Sequence, residues 1–433
     1  MKKTLIAVAA AAALTATSAF AEITFGAWLR AVAVPVAHNG EDVVAGVQNS
    51  WGYGTRTARL NINAVSEDGK AGFVMGVYND FESGLGQGDD AYLWVKPVDT
   101  VKVSVGKFDS PTNGLRGDFC YGSWNWLRPF NWLYDGEGLT FDGVSKNGLL
   151  VEADPIEGLH AFVAIPLTDD YTWNKSTTDA AEYIYKNSQI GFGYAIEGVG
   201  KLKAQYIGDY VKNKKDVKKT YLLANKSETK DGKTTWSLDS ESDAAPTWRY
   251  NTEGDGNDDV KTTGKIGVAF DLTAVENLYV TVGARFGIAD KDYAPDYLKM
   301  SFTAGASYQV SEQMKFSADG GYIQYQDKFN ADDDSIFFVG AGVDFNVMDG
   351  LAAVADVRYM SNTYGKDGDE GAISFLVGVN KSVSSNGSLG IGFQGATNGC
   401  GFFNPGDNNE TGIKANAADD FVWAIPVSVS VWF

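Results

Sequence analysis

Histidine and cysteine are almost missing from this chain of 433 residues, which has two of each: His38, His160, Cys120 and Cys400. Two cysteines cannot build a disulfide framework over such a length. Neither histidine has a serine or aspartate constellation beside it that would suggest a triad or dyad, so no catalytic residue is expected and the chain is not read as an enzyme. No metal site and no cofactor is expected either. Basic side chains are in deficit, 36 Lys and Arg against 55 Asp and Glu, for a formal charge of −19. No basic stripe stands out from that balance, which argues against nucleic acid as a partner. Long apolar runs are lacking too: beyond residue 21 nothing approaches the ~18 consecutive apolar residues of a spanning helix.

What is present is glycine, 50 residues, and aromatic side chains at 13%, the composition of strands and turns. The first 21 residues stand apart. Lys2 and Lys3 precede an apolar run from Leu5 to Leu14, and Ala19-Phe20-Ala21 has the small-x-small form of a cleavage site. This pattern predicts a secretory signal peptide over 1–21, removed to leave Glu22 at the head of a single domain over 22–433.

The remainder alternates with period two. In the last stretch, Asp419 to Phe433, the residues Phe421, Trp423, Ile425, Val427, Val429, Val431 and Phe433 share one parity. Ser428 and Ser430 lie on the other, with Trp432, Ala424 and Pro426. Such a strand has one apolar face and one mixed face. Proline inside it removes a ladder donor and predicts a local bulge or kink.

Similar strands are expected at Ile23–Val36, Thr55–Val65, around Phe73–Val77, from Ala91 to the turn at Pro97, and on to Phe108. Others follow at Gly148–Asp154, Leu159–Ile165, Gln189–Glu197 and Lys201–Val211. The clearest run from Lys265 to Ala396, with turns V-E-N, S-E-Q, M-D-G and S-N-G-S between strands and longer connections at the opposite ends. Short turns at one end and long loops at the other are the pattern of an outer-membrane β-barrel, and counting gives about 18 strands, or 16 if one hairpin is misread. The fold class is therefore all-β, a transmembrane antiparallel up-and-down barrel. A barrel of that size is too wide for side chains to fill and encloses an aqueous lumen.

Two long connections break the alternation. Asp109 to Lys146 carries Phe119, Tyr121, Trp124, Trp126, Phe130, Trp132 and Tyr134, too many aromatics for a loop exposed to water. It is expected to pack on the inner wall, an aromatic belt at the membrane interface or a contact between protomers being the alternatives. Lys212 to Lys261 opens with five lysines in eight residues and closes with an acidic half that includes Glu253, Asp255, Asp258 and Asp259. Such a run is expected to be solvated, or to share divalent cations with lipopolysaccharide, and its spacing does not match an EF-hand.

Parity also places charges on the wall. Arg30, Arg59, Lys203, Arg285, Lys299 and Arg358 lie opposite the apolar faces of their strands, as do Asp271, Asp319, Asp344 and Asp356. On a lipid-facing wall each would cost ~2–4 kcal/mol near the midplane, so all are expected to face the lumen. Rings of fixed charge bias which ions enter a pore. Arg30 and Arg59, on successive strands, are the leading candidates for a basic cluster.

The stretch V-S-V-G-K-F-D-S-P before the aromatic loop resembles the fifth strand of Gram-negative porins, and Asn147 to Leu159, N-G-L-L-V-E-A-D-P-I-E-G-L, is similar to the strand and turn that follow. With the leader, the alternating strands and the final aromatic, the whole chain looks like a general-diffusion porin. The resemblance implies a third loop folded inward, its acidic residues opposite basic ones on the wall. Carried over, the constriction residues are Asp118, Asp135 and Glu137, with Arg116 and Arg128 departing from a purely acidic loop. The Pro-Glu-Phe-Gly-Gly type of motif found in some members is missing, and the mixed charge leaves cation or anion preference open.

It further implies an outer-membrane location, contact with membrane lipid and lipopolysaccharide, a homotrimer, and recognition of Phe433 by the barrel-assembly machinery. The function expected is passive diffusion of small hydrophilic solutes and ions. A maltoporin-like, sugar-selective channel with Trp124, Trp126 and Trp132 as stacking platforms is the alternative, an outer-membrane enzyme or an adhesin being further readings. Cys120 and Cys400, both in expected loops, form a bridge or stay as two thiols.

Overall fold

The computed structural model describes residues 22–38, 42–47, 57–79, 85–110, 144–167, 187–214, 218–230, 233–240, 245, 247–253, 258–289, 297–327, 334–361, 371–397 and 421–433. Everything regular among them is strand. In chain order the elements are β1 (Glu22–His38), β2 (Val43–Val47), β3 (Thr57–Val65), β4 (Ala71–Asn79), β5 (Leu85–Val98) and β6 (Val101–Ser110). Then come β7 (Val144–Ile156), β8 (Leu159–Pro166), β9 (Gln189–Ile196), β10 (Gly200–Lys214), β11 (Lys218–Ala224), β12 (Lys226–Lys230), β13 (Lys233–Ser237) and β14 (Thr247–Glu253). The last group is β15 (Asp258–Leu272), β16 (Leu278–Ile288), β17 (Leu298–Ser311), β18 (Met314–Tyr325), β19 (Ser335–Met348), β20 (Leu351–Met360), β21 (Ala372–Ser384), β22 (Gly387–Ala396) and β23 (Val422–Trp432).

Eighteen of these strands close into one antiparallel barrel: β1, β3 to β10 and β15 to β23, with β23 returning to β1. The count of 18 rather than 16 is thereby settled. Closure leaves no open edge, so every strand finds a partner on both sides. Two compact units divide the chain, one of Met1–Asp209 with Gly264–Phe433 and one of Tyr210–Thr263.

The seam between first and last barrel strands joins Ala27 and Phe433 by two backbone hydrogen bonds, 3.0 and 2.7 Å. It runs in register from Trp28–Trp432 to Ala33–Val427, slips by one residue, and resumes from Val36–Ile425 to His38–Trp423. The slip leaves Val34 and Pro35 of β1 opposite Pro426, and neither proline has an N–H to give a ladder. This is the bulge that a mid-strand proline demands. His38, read as a loop residue from sequence, ends β1 instead and stacks on Trp423 with ring centroids 6.5 Å apart.

The differences in extent are physical. β5 begins at Leu85, upstream of the start expected at Ala91, because its backbone pairs with Val77 to Asn79 of β4 after a register shift. The stretch 212–261, expected to be merely solvated, is largely laddered within its own unit: β11 pairs β14 and β12 pairs β13. Lys218 of its lysine-rich start lies opposite Glu253 of its acidic end. Asn225 and Asp239 exchange two hydrogen bonds, 2.9 and 2.7 Å, and Lys226 reaches the Asp239 carboxylate at 3.2 Å.

The turn between β15 and β16 places Asn277 at φ 64°, a left-handed conformation that costs most L-residues roughly 1–2 kcal/mol and Asn less. Asn277→Gly is expected to leave stability unchanged or slightly raised, whereas Asn277→Val should lose about 1–2 kcal/mol in denaturant unfolding.

Candidate functional site: the inner wall of the barrel

Parity sorts the wall into two faces. Outward residues include Leu93, Val105, Ile190, Val282, Val339 and Val377, all exposed. Near the long-loop ends the outward face carries aromatics in contact: Phe286 with Phe302 at 6.2 Å, Phe337 with Tyr359 at 5.5 Å, and Phe375 with both Phe393 and Phe421. Tyr308 and Phe316, register partners at the short-turn ends of β17 and β18, are exposed on the same face. An apolar band between aromatic girdles is a surface for hydrocarbon, far beyond the few hundred Å² of apolar patch that a water-soluble monomer shows.

The inward face carries many polar side chains and glycines, beside two buried apolar clusters, one with Ile323, Ile336 and Phe338 and one with Phe108, Leu150 and Phe162. Lys203 and Asp271 form a pair of 2.7 Å with side chains only 3% and 11% exposed. Thr281 donates a further 2.9 Å hydrogen bond to the Asp271 carboxylate. Lys102 pairs with Glu152 at 2.9 Å. Asp319 of β18, Gly340 of β19, Arg358 of β20 and Ser374 of β21 are successive register partners along one line around the wall. Glycine between the charged positions lets long side chains lie along the wall instead of across the interior. Asp356 occupies the next inward line, opposite Gly342 and Leu376.

The inward side chains of β17 to β22, such as Ser301, Asp319, Arg358 and Gln394, are buried. Several of those on β3 to β6, Arg59, Asn61, Tyr78, Trp94 and Lys102 among them, are only half-buried, whereas Ser104 and Phe108 are buried. Solvent therefore reaches part of the wall on the β3–β6 side.

Of the sequence candidates, Arg59 sits on this accessible side, with Nε donating to Asn61 Oδ1 at 2.5 Å and one terminal nitrogen donating to Tyr78 Oη at 3.1 Å. Its guanidinium also lies 5.3 Å from the Tyr78 ring centroid. Arg30 occupies the register position opposite Thr57 of β3 and Ser430 of β23, on a strand paired with that of Arg59. Arg285 is half-buried, its Nε donating to Ser301 Oγ at 3.4 Å, and Arg358 is buried. Lys299 departs from expectation: it falls in the register shift between Leu298 and Met300, where alternation breaks, and is exposed. The loop candidates Arg116, Asp118, Arg128, Asp135 and Glu137, together with Trp124, Trp126, Trp132, Cys120 and Cys400, lie outside the described residues.

His160 was read from sequence as having no partner. The β7–β8 turn brings its Nδ1 to 2.9 Å from Asp154 Oδ1, beside a cavity of about 370 Å³ that Glu157 and Lys201 also line. The pairing was not legible in the spacing: a regular two-residue turn would put 154 and 160 on opposite faces, and the register shift between Ala153 and Ile156 brings them level. Among the described residues no serine, threonine or cysteine lines that cavity.

One turn has a clear electrostatic signature. In the Ser66–Lys70 turn the Ser66 hydroxyl donates to Asp68 at 2.6 Å and the Lys70 amide donates at 3.0 Å. Ser66 first, and the Lys70 amide second, hold the Asp68 carboxyl below its ordinary value. The turn bonds are thus fully present above the ordinary carboxylate pKa and fade as pH falls through the lowered folded value. Ser66→Ala should move the Asp68 carboxylate titration upward, as followed by NMR; an unchanged midpoint would show that the hydroxyl does not control it.

A closed antiparallel barrel with an apolar outside and a charged, glycine-lined inside belongs to the class of membrane-spanning β-barrels. Neither a family model nor a curated relative matches the chain. Among solved structures it is similar to OmpT, an outer-membrane protein of Vibrio cholerae, at 13% identity over 96% of this chain and 99% of that one, with a TM-score of 0.42. It is also similar to the anion-selective porin from Comamonas acidovorans, at 14% identity over 95% and 100%, with a TM-score of 0.45. A mutant of the Rh. blastica porin gives 13% identity over 95% and 100%, with a TM-score of 0.44. Likeness of this degree says nothing of what passes through the barrel.

Proposed function

We propose that the chain is an outer-membrane channel through which small hydrophilic solutes and ions diffuse passively. One observation carries the reading: charged and polar side chains face inward on a closed 18-strand barrel whose outside is apolar. A ring of that many strands encloses a lumen that wall side chains cannot fill. The leader over 1–21 exports the chain across the inner membrane, Phe433 is offered to the assembly machinery, and in the outer membrane the apolar band meets lipid and the outer loops meet lipopolysaccharide. The protein assembles as a homotrimer. Selectivity comes from fixed charge: Arg30, Arg59, Arg285 and Arg358 on the wall, and Arg116, Asp118, Arg128, Asp135 and Glu137 on the loop between β6 and β7. Lys203 and Asp271 neutralise each other and contribute little net field. The Cys120–Cys400 bridge, if formed, ties that loop to the one between β22 and β23.

Planar-bilayer recording in a salt gradient tests the proposal. Discrete conductance steps with a stable reversal potential are expected, and Arg59→Glu should shift that potential toward cation preference. Purified, folded protein that produces no discrete conductance would overturn the channel reading.

A further inference from the structure

The inward surface of β4 to β7 near its short-turn end holds a patch to which the diffusion reading gives no task. Trp94 and Tyr92 alternate with the exposed, outward Leu93 and Val95, so both aromatic side chains face the interior. The indole of Trp94 covers bare backbone on the neighbouring strand: a Cβ on Gly72 would lie 2.6 Å from its six-membered ring. Any residue larger than glycine there would meet the Ala64 carbonyl of β3 as well as the indole. The Tyr92 ring is braced against Phe108 of β6, with centroids 5.0 Å apart.

Two ammonium groups attend these rings. Lys96 Nζ stands 5.9 Å from the Trp94 ring centroid, and Lys102 Nζ stands 5.8 Å from that of Tyr92. Lys102 is neutralised by Glu152 at 2.9 Å, whereas among the described residues no carboxylate pairs with Lys96. The wall therefore presents a seated indole face, an ammonium with no carboxylate paired to it among the described residues, and a Lys102–Glu152 pair able to donate to and accept from hydroxyls. A neutral pyranose would use the indole alone, through its C–H face, and a small inorganic anion would use Lys96 alone. A sugar that carries a carboxylate or phosphate uses both.

We propose that Trp94 and Lys96, backed by Tyr92 and the Lys102–Glu152 pair, form a binding site for anionic monosaccharides on the inner wall. The inference rests on the channel reading only for how the ligand arrives, because binding can be measured without conduction. Detergent-solubilised protein is titrated calorimetrically with galacturonate, with galactose 1-phosphate and with neutral galactose. Saturable binding of one or both anionic sugars is expected, at least tenfold tighter than galactose. Trp94→Ala and Lys96→Gln should each weaken it tenfold or more, and Trp94→Phe should retain part of it. Unaltered electrophoretic mobility of the unheated variants reports that their barrels remain folded.

If galacturonate alone binds, the site takes a sugar carboxylate; if galactose 1-phosphate alone binds, it takes a sugar phosphate. Anionic sugars that bind no better than galactose, or equally to wild type and both variants, would overturn the site. Conductance without such binding leaves the channel reading intact and removes this inference, while binding without conductance does the reverse.

Discussion

Val377→Arg should destabilise the barrel by about 2–4 kcal/mol in a bilayer, because an arginine on the lipid face near the midplane has no water or counter-charge. Val377 lies near the centre of β21 and is exposed outward. Val383, exposed on the same strand but next to the short turn, is the natural control. Val383→Arg should cost only about 0–1 kcal/mol, since near the interface the guanidinium reaches water. Folding titrations into lipid vesicles with guanidinium chloride measure both. Equal costs at the two positions would mean that the outer face does not meet hydrocarbon, and the membrane assignment would fail with it.

The second large effect belongs to the Lys203–Asp271 pair. Asp271→Ala should cost about 3–5 kcal/mol, because it leaves a buried ammonium without its carboxylate and frees the Thr281 hydroxyl as well. Replacing both partners, as Lys203→Met with Asp271→Leu, should recover most of the loss, since the desolvation of two charges is then no longer incurred. Equilibrium unfolding of the two single variants and the double variant completes the cycle. If the double variant were as unstable as Asp271→Ala, the pair would matter through its shape and not its charge. Ion selectivity should change little in the double variant, as the pair is neutral overall.

Much of this was legible in the chain because a strand that meets lipid on one side and water on the other must alternate strictly. The stretch from Lys265 to Ala396, where alternation is clearest, holds the strands β15 to β22 in unbroken succession. The pattern failed wherever something other than the solvent boundary decides the backbone. At Lys299 a bulge reverses parity, and no local residue type announces it. In β5 the strand extends back through Gly86, a residue that propensity assigns to loops, because Tyr78 of the neighbouring β4 is there to pair with it.

For the site, sequence parity placed Arg59, Arg285 and Arg358 on the inner wall but not their partners. The Arg59–Tyr78 contact depends on which residues of β3 and β4 stand level, a matter of register. Trp94 carries a signal readable in the chain, a tryptophan on the polar parity of a strand with a lysine two residues on, but its seat against Gly72 depends on register.

The slip in the β1–β23 seam bears on the order in which the barrel assembles. Each hairpin joins strands that are close in sequence, but the seam joins residues about 400 apart, and such distant pairings form late. In loop-closure entropy that separation is cheap, each doubling adding only about 0.6 kcal/mol, so the obstacle is one of rate. The seam has two stretches of intact ladder, six register pairs from Trp28–Trp432 to Ala33–Val427 and three from Val36–Ile425 to His38–Trp423, parted by Pro35 and Pro426. Zippering begun at Phe433 would run through the longer stretch and pause at the prolines. Pairing there is a separate event, which makes the short stretch beyond them the place where the closed cylinder can reopen without coming apart.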